Sequence, residues 1–109
     1  MAGNCYGLAA RAVSENPNLT LCHGICTGTG GDVDGVRYGH AWVEYDDGPW
    51  RMARDLESGK SFFAELFRAV GNAHPVITYT YEDALAMVLT HETYGPWHPQ
   101  IRLVAHADD

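Results

Sequence analysis

Three side chains in the first half of this 109-residue chain have the types needed for thiol chemistry: Cys5, His40 and Asp55. A thiolate is the reactive form of cysteine, a histidine can take its proton, and a carboxylate can hold that histidine in one tautomer. Cys5 lies in "NCYGLAARAVS", residues 4–14, where Ala, Leu and Arg favour a helix and Asn4 can cap its start. In the first turn of a helix the thiol meets unpaired N–H groups and the positive end of the dipole, and both favour the thiolate. The plainer role for Cys5 is that of a small buried apolar residue, which most free cysteines fill.

The element that must position the other two is "YGHAWVEYDDGPWRMARDLESG", residues 38–59. It reads as a β-hairpin turning at Asp46, Asp47, Gly48 and Pro49. Pairing outward from Tyr45 opposite Trp50 brings His40 opposite Asp55 on the same face, where Cβ atoms stand about 4.5–5.5 Å apart. A slip of one residue would send the two side chains to opposite faces. Trp42 shares the face of His40 and is read as a core residue or a neighbour of the pocket.

The remaining elements frame that hairpin. Pro17 ends the first helix, and residues 19–28 read as a strand running into a glycine-rich loop over 27–35. That loop lies near His40 in the chain and suits a lid over a cleft. Residues 61–70 read as an amphipathic helix stopped by Gly71, and 75–80 as a strand. Thr80 and Asp83 open a further helix over 81–92 in a pattern close to a capping box. "YGPWHP", residues 94–99, is a break with packed aromatics, and "QIRLVAH", 100–106, a last strand. The expected fold class is α+β: one compact domain over residues 1–109, its cysteine-bearing N-terminal helix packed on a mostly antiparallel sheet.

Composition narrows the function classes. A formal charge of −7 argues against a nucleic-acid or anionic-membrane partner, since both need a basic face. No stretch approaches the roughly 20 apolar residues of a membrane helix, and the first residues lack a secretory pattern. With three cysteines, an odd number, a reducing cytoplasm is the expected setting. Cys22, His23 and Cys26 form one C-x3-C without a second pair, and alternation on a strand separates His23 from the two thiols, so no metal is expected there. "GTGGDVDG" lacks the Lys-Ser/Thr ending of a phosphate loop and the twelfth-position glutamate of a calcium loop. No cofactor is implied.

"GNCYGLAARAV" followed by "GHAWVEYDDGPWRMARDLESG" resembles the core of the transglutaminase-like cysteine proteins, within the papain-like fold. In that family a cysteine opens a helix, a histidine begins a strand reading "HAWVEV", and an aspartate closes the next strand in a "DPT"-like segment. The resemblance, which covers roughly residues 3–58, makes Cys5 the nucleophile, His40 the base and Asp55 the orienting carboxylate. Leu56 and Glu57 stand where the family has proline and threonine. It implies a small peptidase, amidase or acyltransferase acting on an amide bond of a protein or peptide. The Cys5 backbone N–H is the oxyanion donor that the helix start offers. Trp42, His23 and Asn4 are the candidate substrate-binding residues. The alternative is a non-enzymatic member of the fold that binds a protein partner.

Overall fold

The computed structural model describes residues 4–104. Its first element is helix α1 (Cys5–Glu15), which buries Cys5, Tyr6, Ala9, Ala10 and Val13 along one stripe. Asn4 holds the N-cap position without a side-chain cap; its carbonyl instead accepts from the Leu8 N–H at 3.0 Å. The helix stops at Asn16, whose extended backbone precedes Pro17.

Five strands follow: β1 (Thr20–Thr27), β2 (Arg37–Asp47), β3 (Trp50–Asp55), β4 (Lys60–Phe63) and β5 (His74–Tyr79). They form one antiparallel sheet in the order β4-β3-β2-β1-β5. The inner strands β1 and β2 are buried through their middles, because helices cover both faces of the sheet. On one face α1 and α3 (Tyr81–His91) enclose a core with Leu21, Val43, Tyr79 and Trp97. On the other, α2 (Ala64–Val70) covers Cys22, Cys26, Trp42 and Ala53. Alternation along β1 therefore divides Cys22 and Cys26 from His23.

The hairpin is tighter than the four-residue turn expected from "DDGP". Asp47 pairs with Trp50 and Tyr45 with Met52, so Gly48 and Pro49 alone make the turn. Gly48 at φ +58° supplies the positive φ that a primed turn needs at its first central position, and Pro49 suits the second. The ladder is thereby moved by two residues. The face of every side chain is kept, but Asp55 aligns with Trp42 rather than with His40 when the pairing is continued past its last rung, Val43 with Arg54.

Two further expectations are corrected. Residues 61–63 are not the start of a helix but belong to the edge strand β4, because Met52 and Ala53 of β3 pair with Phe63 and Phe62. The expected strand at 100–106 is instead the short helix α4 (Pro99–Arg102); His98 accepts the Gln100 N–H at its Nδ1, and Pro99 sits at the first helical position. Residues 105 and 106 lie outside the described residues. The start of α3 is as its sequence reads, with the Thr80 hydroxyl accepting from the Asp83 N–H at 3.2 Å. The 27–35 loop contains one 3-10 turn, Gly31–Val33, and is clasped at its base by the Gly28 N–H on the Val36 carbonyl at 2.8 Å.

Candidate active site

Cys5 is the first residue of α1, His40 lies near the start of β2, and Asp55 is the last residue of β3. The structure brings all three together and adds a fourth, Glu57. His40 Nε2 stands 3.6 Å from Asp55 Oδ1, and its Nδ1 stands 3.9 Å from Glu57 Oε1. One donor atom each from Cys5, His40 and Glu57 lie within 4.8 Å of one another. At 3.6 Å the His40–Asp55 contact is an ion pair rather than a fully formed hydrogen bond.

The carboxylate is held from behind. The Glu57 N–H donates to Asp55 Oδ1 at 3.1 Å, and the Gly59 N–H donates to the Asp55 carbonyl at 2.8 Å. These bonds fold residues 56–59 into a tight turn that carries Glu57 toward the imidazole. The His40 ring also stacks on Trp42, with centroids 6.2 Å apart, and meets the edge of Tyr38 at 5.8 Å. Trp42 is fixed in turn, because its indole N–H donates to Glu44 Oε2 at 3.0 Å. Glu44 is a buried carboxylate that also takes Arg68 Nη2 at 2.6 Å and Arg51 Nε at 3.4 Å.

Electrostatics follow from these contacts. Burial works against a charged His40, but Asp55 and Cys5 facing the ring outweigh it and raise its pKa from 6.5 to about 10. Asp55 is held below the usual carboxylate range, first by its contact with His40 and despite partial burial. The site thus favours an imidazolium flanked by a sulfur and carboxylates. Burial pushes the Cys26 thiol up to about 12 and Cys22 higher still, so neither is primed to react. All three cysteines are free thiols.

The candidate substrate-binding residues fare differently from one another. Trp42 and His23 are sealed at 0% exposure, so neither offers a surface to a substrate in this structure. Trp42 backs His40 as part of the core. His23 points to the other face, caged by Tyr6, Tyr79 and Trp97 with ring centroids 5.0–5.2 Å away. Asn4 is exposed beside Cys5. Glu57 and Glu44 were not anticipated. A two-residue turn at Gly48-Pro49 would have placed position 57 level with His40, and that was the available signal for Glu57. Glu44 shares the face of Trp42 and His40, but nothing local marks it as a buried ion-pair partner.

Cys5 is 3% exposed and His40 7%, whereas the side chains of Asp55 and Glu57 are 23% and 28% exposed. The approach from solvent is therefore on the carboxylate side. There Asp55 also borders a cavity of about 350 Å3 whose apolar wall includes Phe62, Leu66 and Phe67. No helix among the described residues is long and apolar enough to cross a membrane. No protein-family model, no curated protein and no solved structure matches this chain. Its functional reading stands on geometry.

Proposed function

We propose that the chain is a small cysteine-dependent peptidase, amidase or acyltransferase with a transglutaminase-like, papain-like core. The observation that carries this reading is the convergence of Cys5, His40 and Asp55 from three separate elements. The Cys5 thiolate attacks an amide carbonyl, and the Cys5 N–H, which has no intrahelical acceptor at the first helical position, faces the developing oxyanion. His40 gives its proton to the leaving amine as the C–N bond breaks, which leaves a thioester. Water or a second amine then attacks that thioester. His40 takes the attacker's proton, the C–S bond breaks, and the thiolate returns. Asp55 keeps the ring turned toward the sulfur throughout. Substrate approaches from the carboxylate side, with an apolar group in the cavity beside Asp55. A reducing, cytoplasmic setting suits three unpaired thiols.

The test is mass-spectrometric trapping of an acyl-enzyme on a panel of peptides and γ-glutamyl amides. An adduct on Cys5, absent in Cys5→Ala, is the expected result. No adduct from any substrate under conditions that keep the fold would overturn the reading.

A second reading has one observation in its favour. Trp50, Phe63, Leu66 and Val70 are 50–65% exposed along the β3–β4–α2 edge, and the Trp50 and Phe63 rings lie 5.4 Å apart. Such a patch suits a protein-binding module that has no use for the buried thiol. In that case Cys5→Ala would bind the partner unchanged, whereas Trp50→Ser would not.

A further inference from the structure

We propose that Cys5 Sγ, His40 Nδ1 and a Glu57 carboxylate oxygen form a zinc-binding site that reversibly masks the thiol. The donors are one sulfur, one imidazole nitrogen and one carboxylate oxygen, all within 4.8 Å of one another. That set suits Zn2+, which takes thiolate, imidazole and carboxylate together, and does not suit Mg2+ or Ca2+, which want oxygen throughout. Around a tetrahedral zinc with bonds of about 2.0–2.3 Å the donors stand roughly 3.3–3.6 Å apart. Nδ1 and Oε1 are already 3.9 Å apart. Glu57 lies on the exposed 56–59 turn, and a small change in its side-chain torsions shortens its reach to the ring.

The other side of the ring supports the assignment. A metal-bound imidazole usually gives its second N–H to a carboxylate, which fixes the tautomer and the ring plane. Asp55 stands in that place, 3.6 Å from Nε2. Three protein donors leave a fourth position open, toward the solvent that Glu57 borders. On binding, any proton on the sulfur or on Nδ1 leaves to solvent, and the sulfur lone pair that would attack a carbonyl is bound to the metal. Cys22 and Cys26 take no part: they lie among the apolar residues beneath α2.

Binding requires only the three donors. The consequence, inhibition that a chelator lifts, rests on the thiol-enzyme reading. The experiment uses the full chain stripped with a chelator, then titrated with ZnCl2 by calorimetry and with CoCl2 by absorption. The expected results are one metal per chain and a cobalt–thiolate charge-transfer band. Zinc should also slow alkylation of Cys5 by iodoacetamide at least tenfold, and EDTA should restore it. Cys5→Ser should abolish the band, and Glu57→Gln, its fold checked by circular dichroism, should weaken binding at least tenfold. No binding, a band that survives Cys5→Ser, or affinity unchanged in Glu57→Gln would overturn the proposal. An acyl-enzyme without metal binding would overturn it and leave the catalytic reading standing; metal binding without any acyl-enzyme would do the reverse.

Discussion

His40 reaches Asp55 diagonally along the hairpin, Nε2 to Oδ1 at 3.6 Å, rather than across a rung. The two-residue turn at Gly48-Pro49 sets this offset. Because the ladder moved by two residues, the carboxylate stays on the imidazole's face and position 57 comes level with the ring. Asp55 thus acts on one ring nitrogen while Glu57 stands at the other.

Replacing Asp55 by Asn removes a partner of the protonated ring. His40 is normally half-protonated near 6.5 and is raised to about 10 here, so the stabilisation from its charge is complete below 6.5 and fades as pH rises through about 10. In Asp55→Asn, with EDTA present, the midpoint should move down, and acyl-enzyme formation should slow roughly 10²-fold as proton transfer is misaligned. Ring-proton NMR against pH measures the first effect directly. An unmoved midpoint would remove Asp55 from its orienting role.

The three thiols should differ sharply in reactivity. Cys22 and Cys26 are disfavoured as thiolates by burial, while Cys5 faces an imidazolium at a helix start. Iodoacetamide with native protein near neutral pH should label Cys5 first, and the other two only after denaturation. Peptide mapping that finds equal labelling of all three would contradict this order.

Gly24 has no room for a side chain. A Cβ there would collide with the His74 carbonyl oxygen and lie 2.6 Å from Cη2 of Trp42, at the point where the β1–β5 register shifts. Gly24→Ala should destabilise the domain by about 1–3 kcal/mol. For a domain near this size each kcal/mol lowers Tm by roughly 4–8 °C. Since Trp42 backs His40, the same variant should also broaden the His40 resonance. A melt matching wild type would mean that the sheet relaxes around the new methyl.

His23 should make the fold sensitive to acid. Both its ring nitrogens are buried with no hydrogen-bond partner among the described residues, and burial lowers its pKa from 6.5 to about 4. The unfolded chain therefore takes up this proton first as pH falls. Its contribution is intact above 6.5 and is lost between 6.5 and 4, at a cost of about 3 kcal/mol. His23→Phe should flatten that part of the stability curve in urea titrations run from pH 7 to pH 4. An identical acid slope in the variant would place the sensitivity elsewhere.

What the sequence disclosed, and what it hid, divides by the range of the interaction. α1, the hairpin and the α3 cap were legible because their signals are local: helix formers with a proline stop, two alternating strands, and a threonine three residues before an aspartate. Phe62 and Phe63 could not be read correctly from neighbours, since "SFFAELF" has a helical pattern and only pairing with β3 makes its first part a strand. Pro99 suits the first position of a helix, but residues 100–106 read as a strand, and the short helix α4 became visible only in the fold. Within the site, the types Cys5, His40 and Asp55 were evident, while the turn length, and with it Glu57, depended on which two residues of "DDGP" close the hairpin. The cage around His23 needs Tyr79 and Trp97 from distant segments, and no local feature announces it.

The sulfur and the imidazole belong to different halves of the molecule. Cys5 is set in the cluster under α1 and α3, whereas His40 leans on Trp42 from the cluster under α2. Their separation is therefore a gauge of how the two helical layers seat on the central sheet. Any shift of either layer against the sheet would change the sulfur–imidazole distance without a contact at the site itself.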